Sequence, residues 1–241
     1  MLQDYSLSAT APVRVVNRLI EGLPRRERHW MLEQCEPMEL DFGDILCEPD
    51  QPFRYVYFPL TGFISLVTSL QDHQPLEMGL IGNEGMLGGT IVLGISAVPL
   101  RAVVQGAGVL LRMTSVQLRK EMQRSPALRR ALQRYLYVQM AQLSQIGACT
   151  HFHEIEPRLA RWLLMTHDRA HADHFRLTHE QLANMLGVRR SGISVAAGVL
   201  RRRKLIRYTR GEIHILNREG LEAAACECYG ALVEDYAKLL A

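Results

Sequence analysis

Several classes of protein are excluded by what this 241-residue chain does without. It has no apolar run long enough to span a bilayer. Its first residues lack the basic-then-apolar pattern of an export signal, so a cytoplasmic protein with no membrane partner is expected. Cysteine is scarce: Cys35, Cys47, Cys149, Cys226 and Cys228 are odd in number and scattered. Such usage suits a reducing compartment better than a disulfide framework. There is no internal repeat and no low-complexity tract. No nucleophile–base–acid set, phosphate-cradling glycine loop or carboxylate dyad stands out, so neither an enzyme nor a bound cofactor or metal is expected. Bulk charge says little, at 28 Lys+Arg against 25 Asp+Glu.

What is present is a local concentration of positive charge. Residues 1–153 hold fourteen basic and fourteen acidic residues, whereas residues 176–210 hold nine basic residues against the single acid Glu180. That +8 segment has the pattern of a DNA-reading helix-turn-helix over 178–203. Thr178 is a good N-cap, and Gln181 three positions on completes a capping box. Leu182, Met185 and Leu186 share one face of a short first helix, and Gly187 supplies the backbone freedom for a tight turn. In the second helix Val188, Ile193, Val195 or Ala196, Val199 and Leu200 are available to face inward. Arg189, Arg190, Ser191 and Ser194 then point outward near its start, where a recognition helix meets bases and phosphates. A hairpin of Leu205–Tyr208 and Glu212–Leu216 about Thr209-Arg210-Gly211 makes the unit a winged helix. A basic surface confined to one motif is what binding of double-stranded DNA requires.

The rest of the chain is organised simply. Residues 13–34 carry helical spacing interrupted by Gly22 and Pro24. From about 37 to 115 come short alternating runs, Met38–Phe42, Ile45–Cys47, Tyr55–Phe58, Phe63–Val67, Met78–Ile81, Ala102–Gln105 and Val109–Met113, as in a β sandwich or roll. Helical pattern returns over Ser115–Gln123. Ser125-Pro126 then opens a helix to about Thr150 whose Leu128, Leu132, Leu136, Met140, Leu143 and Ile146 suit a dimerising seam. Residues 151–156 read as a hinge, Pro157 starts another helix, and Arg218–Ala241 is helical in pattern.

This order resembles the Crp/Fnr superfamily of bacterial transcription regulators. The likeness runs through nearly the whole chain and is strongest in Leu177–Leu216. The segment "FRYVYFPLTGFISLV" is similar to the family's strand-turn-strand leading to the effector pocket. The resemblance implies an α+β protein with a cyclic-nucleotide-binding-like β-roll and dimerisation helix over 13–152 and a winged helix-turn-helix over 153–241. It also implies a homodimer on an inverted-repeat operator, RNA polymerase as a further partner, and a small-molecule effector of unknown identity. By position, the DNA-binding residues are Thr178, His179, Arg189, Arg190, Ser191, Ser194 and Arg210. Arg190 matches a family arginine that donates to guanine. Ser191 stands where the family often has glutamate, and Val195 where it has a later arginine.

The sensor half departs further. Nucleotide-binding members carry a Gly-Glu pair and then an Arg-Ser or Arg-Thr pair that holds the cyclic phosphate. The nearest equivalents here are Glu84 and Arg101, with Ala102 in place of the hydroxyl and a glycine-rich stretch, 88–94, between them. Cyclic AMP is therefore not the expected effector. The cysteine cluster of the oxygen-sensing branch is missing, since no cysteine precedes Cys35. Two alternatives remain. One is a metal or redox sensor using Cys149, His151 and His153, for which no fourth ligand has a suitable spacing. The other is a nucleotide-controlled protein-interaction module, disfavoured by the +8 segment. His167, His171 and His174 read as a polar helix end, and Cys226-Glu227-Cys228 as structural.

Overall fold

The computed structural model describes residues 16–71, 74–170 and 172–240. The N-terminal tail and His171 lie outside them. Helix α1 (Arg18–Glu21) is capped by Asn17, whose amide also donates to the carbonyls of Pro59 and Gly85 at 3.0 and 2.8 Å. Gly22-Leu23-Pro24 separates it from α2 (Arg25–Glu33).

The β-roll comprises β1 (Glu36–Leu40), β2 (Ile45–Cys47), β3 (Tyr55–Pro59), β4 (Phe63–Thr68), β5 (Leu76–Ile81), β6 (Arg101–Gly106) and β7 (Gly108–Thr114). They form two antiparallel sheets, β1-β7-β3 and β2-β6-β4-β5. Leu40, Val56, Phe58, Leu110 and Met113 from the first meet Ile64, Ile81, Ala102 and Val104 from the second in one apolar core. Strand β1 sits two residues earlier than the apolar pattern suggests. The Asp44 carboxylate accepts the Asp41 N–H at 2.9 Å, so the chain is already turning at Asp41, and Phe42 is left exposed.

Helix α3 (Ser115–Arg124) starts on a capping box of Thr114 and Gln117, and α4 (Pro126–Phe152) on Ser125, whose hydroxyl accepts the Leu128 N–H at 2.9 Å. The expected six-residue seam on α4 is split. Leu128, Leu132 and Leu136 are buried, the first two in the roll's core, while Met140 and Leu143 are exposed together with Tyr137. The hinge is shorter than expected, since only His153-Glu154 separates α4 from α5 (Ile155–Ala170).

Beyond α5 come β8 (His174–Arg176), α6 (His179–Leu186), α7 (Arg190–Arg202), β9 (Ile206–Thr209), β10 (Glu212–Ile215), α8 (Arg218–Ala224) and α9 (Cys228–Leu240). Their core gathers Leu159, Leu163, Leu182, Leu186, Ile193, Leu200 and Ile213. The small sheet, in order β8-β10-β9, gains a strand that the sequence pattern did not suggest. Helices α5 and α6 cover β5, an edge strand of the roll, which removes its open row of backbone groups. At that seam Glu77 of β5 accepts from Trp162 Nε1 at 2.7 Å and from Ser65 at 2.6 Å. Glu84 accepts from Arg169 at 2.8 Å, an ion pair buried on both sides. Among the described residues no helix is long and apolar enough to cross a membrane.

Candidate nucleic-acid interface

The helix-turn-helix is assembled from local chemistry. The Thr178 hydroxyl accepts the Gln181 N–H at 3.2 Å, and the Gln181 side chain accepts the Thr178 N–H at 2.8 Å, so the capping box forms and starts α6. Gly187 ends α6 at φ +62, where an L side chain is strained and a Cβ would also strike Leu76 of β5 at 2.8 Å. Helix α7 then packs Ile193, Ala196, Ala197 and Leu200 inward. Gly192 lets it approach α5 closely, since a Cβ there would meet Ile155 Cδ1 at 2.6 Å.

The outward face carries Arg189, Arg190, Ser191, Ser194 and Val195, all exposed. Arg189 caps α7 with no side-chain hydrogen bond to its first amides. Those donors and the positive end of the helix are left toward an anion. Arg190 makes only a loose approach to Glu180, at 4.0 Å. The choice between Val195 and Ala196 is settled: Ala196 is buried and Val195 is 68% exposed, one turn beyond Ser191. An exposed apolar side chain beside Ser191 is of the kind that can meet a thymine methyl.

His179 and Ser194 have internal duties. The Ser194 hydroxyl lies 3.1 Å from the Arg190 carbonyl and donates to it. Its single proton is thus used, and His179 Nδ1, 2.9 Å away, must carry the proton of that second bond. The His179 ring stacks on Tyr208 at 4.4 Å, and the Tyr208 hydroxyl donates to the Leu177 carbonyl at 3.1 Å. Burial, then the Arg190 charge, pull the His179 pKa below its ordinary value and favour the neutral ring. One imidazole therefore joins α6, α7 and the wing.

The wing turns at Arg210 and Gly211, both at positive φ (50 and 84), as a two-residue hairpin requires. Arg210 stands exposed at the tip, with Arg176 and Arg207 exposed on the strands below. Arg201 and Arg202 are exposed at the end of α7, whereas Arg203 pairs with Glu156 at 2.9 Å.

Between the roll and α4 lies a cavity of about 120 Å³ lined by Phe53, Leu66, Met86, Val98, Leu100 and Leu143, with Thr90, Gln139 and Gln142 as polar contributors. Neither Glu84 nor Arg101 lines it. Glu84 is buried against Arg169, and Arg101 pairs with Glu48 at 2.8 Å on the exposed start of β6. Of the weaker candidates, His167 is 2.7 Å from Asp173 and 2.6 Å from an Arg218 nitrogen, while His174 stacks on His214. At the α4–α5 elbow, Cys149 and His153 meet Cys226 and Cys228. His151 stands outside that group, stacked edge-on to Phe152.

A capped helix, a glycine turn, a second helix presenting arginine at its N-terminus and an arginine-tipped hairpin define a winged helix-turn-helix DNA-binding protein. Residues 157–224 match the Crp-like helix-turn-helix domain family. No curated protein matches the chain by sequence. Among solved structures, FixK2 from Bradyrhizobium japonicum is similar with a TM-score of 0.66 at 16% identity, over 80% of this chain and 98% of that one. CLP, the c-di-GMP-responsive global regulator of Xanthomonas campestris, gives 0.65 at 15%, over 80% and 99%. A CRP-family transcriptional regulator from Thermus thermophilus gives 0.65 at 19%, over 78% and 96%. At these identities the solved structures establish the fold, and the domain match establishes the DNA-binding half. The chain carries a Crp-like helix-turn-helix domain over residues 157–224 and shares the fold of a solved CRP-family transcriptional regulator.

Proposed function

We propose that the protein is a cytoplasmic regulator that binds an inverted-repeat operator as a homodimer, without needing cyclic AMP, and acts on RNA polymerase. The observation that carries this reading is the exposed arginine set about the start of α7 and the wing tip: Arg189, Arg190 and Arg210 are all exposed. Arg190 reads a base, Ser191 and Val195 flank it, and Thr178, Arg189 and Arg210 hold phosphates. His179 and Ser194 set the geometry of that face. Residues 13–152 form the sensing and dimerising part and 153–241 the DNA-binding part.

Tyr137, Met140 and Leu143, exposed at spacings of three on α4, support pairing of two chains through this stretch. Two recognition helices would then enter successive major grooves about 34 Å apart. Independence from cyclic AMP is supported by the cavity between the roll and α4. Its 120 Å³ falls below the roughly 300–1,000 Å³ of small-molecule sites, and no cation lines it. A buried cyclic phosphate without a cation is costly.

Operator selection from random duplexes, with and without cyclic AMP, combined with light scattering of the free protein, tests the reading. An inverted repeat, a dimer at micromolar concentration and no effect of nucleotide are expected. A monomer that prefers single half-sites, or operator binding that requires the nucleotide, would overturn it.

A further inference from the structure

Four side chains with metal-binding atoms meet where α4 gives way to α5. Cys149 in the last turn of α4 and His153 four residues on contribute a thiol and an imidazole. Cys226 and Cys228 flank the break between α8 and α9 and contribute two further thiols. All four donor atoms lie within 4.8 Å of one another. The Cys149 and Cys226 sulfurs are 3.6 Å apart, and Cys228 Sγ is 3.5 Å from His153 Nδ1. With zinc–sulfur and zinc–nitrogen bonds of ordinary length, a tetrahedron has sulfur–sulfur edges of ~3.8 Å and sulfur–nitrogen edges of ~3.6 Å. Two edges of the cluster already have these lengths, and the remaining donors lie within 4.8 Å.

Its surroundings fit the same chemistry. His153 Nε2 lies 3.1 Å from the Glu227 carboxylate, which leaves Nδ1 facing the sulfurs. A carboxylate on the far ring nitrogen is the usual partner that fixes the tautomer of a metal-bound histidine. Gln145 Nε2 donates to Cys228 Sγ at 3.0 Å, a bond that favours a thiolate. Cys149 and Cys228 are fully buried, Cys226 is 7% exposed and His153 is partly buried, so the three sulfurs are shielded from solvent, as in structural four-ligand sites. Arg158 and Arg161 are each 5% exposed and make no ion pair among the described residues. Three thiolates around a dication leave a net charge of −1 to offset buried guanidinium charge of this kind. A Cys149–Cys226 disulfide would account for two of the four donors and leave the Gln145 and Glu227 bonds without a purpose.

We propose that Cys149, His153, Cys226 and Cys228 form a Cys3His site for a thiophilic, tetrahedral dication of the zinc(II) kind. The metal would pin the α8–α9 junction of the DNA-binding half to the α4–α5 elbow. Binding forms three metal–sulfur bonds and one metal–nitrogen bond, and the thiol protons leave to solvent.

Cobalt(II) titration of the reduced, chelator-treated full chain tests this. The expected result is one cobalt per chain, with thiolate-to-cobalt charge transfer and tetrahedral d–d absorption, both bleached by added zinc(II). Cys35→Ser and His151→Ala, outside the cluster, should keep that spectrum. Cys149→Ser, Cys226→Ser and His153→Gln should each weaken binding at least ~10-fold, and Glu227→Gln by ~10- to 100-fold with the spectrum retained. Should Cys149→Ser fail to fold, Cys226→Ser and the partly exposed His153→Gln carry the same test. No uptake, an octahedral spectrum, equal uptake by Cys226→Ser, or a Cys149–Cys226 disulfide whose reduction yields no cobalt site would each overturn the proposal. None of these readouts involves DNA, so failure here leaves the operator-binding assignment standing, and the reverse holds too.

Discussion

The DNA face and the seam between the two halves treat charge in opposite ways. On the DNA face the arginines stand in solvent with weak partners or none, as in the 4.0 Å approach of Arg190 to Glu180. At the seam two buried acids are each held by partners: Arg169 lies against Glu84, and Glu77 takes two hydrogen bonds from Ser65 and Trp162. Exposed cations cost little to hold and remain available to phosphates. Buried ones hold position only while every partner is in place. The first surface is built to meet another molecule, the second to keep two halves of one chain in register.

The comparison breaks most visibly if the seam is cut. Arg169→Ala leaves Glu84 buried without its cation and should destabilise the protein by ~3–5 kcal/mol. Pairing it with Glu84→Gln should recover part of that loss. Urea unfolding measures both, and a loss within error of zero would mean that the seam carries no such load.

The next effect is a pH dependence. Burial, opposed by the bonds from Ser65 and Trp162, pushes the Glu77 pKa up to about 7 from 4.5. The folded state therefore holds this proton longer than the unfolded state. The contribution to stability is complete below about pH 4.5 and falls as pH rises through about 7, by up to ~3 kcal/mol. Glu77→Gln keeps an acceptor for Trp162 and cannot ionise, so its stability should stay flatter across that window. A wild type whose Glu77-dependent stability rises with pH there would reverse the assignment.

Changes on the DNA face should leave folding alone. Arg190→Ala should cost ~1–3 kcal/mol of operator affinity and relax the preference at one base pair per half-site. Equal losses on specific and random DNA would remove it from base reading. Arg210→Ala should have the smallest effect, a similar weakening on all sequences with the salt slope lowered by ~1. Fluorescence anisotropy over a salt series separates these two arginines.

The two regions were also unequally legible. The capping box at Thr178, the Gly187 turn and the Arg210-Gly211 hairpin rest on residues within a few positions of one another, and all three form. On α4 the apolar spacing was visible, but it does not say which neighbour covers it. The roll takes Leu128 and Leu132, leaving Tyr137 and Met140 exposed. The Trp162–Glu77 bond joins residues 85 apart in the chain, and Cys149 meets Cys226 across 77. No local pattern encodes such meetings. A search for a fourth ligand near Cys149 fails because the remaining thiols arrive from the far end of the domain.

The sequence by itself determined the helix-turn-helix, its wing and the charge it presents. These depend on caps, turns and periodicity, which act over one or two turns of chain. Only the tertiary structure decided that Val195 rather than Ala196 faces outward, that Ser194 is engaged by His179, and that Glu84 is held by Arg169 rather than facing the cavity between the roll and α4. It also decided that three cysteines and a histidine converge at the elbow. The physical reason is shared. Burial and pairing are properties of the space between elements, and that space exists only once the elements have packed.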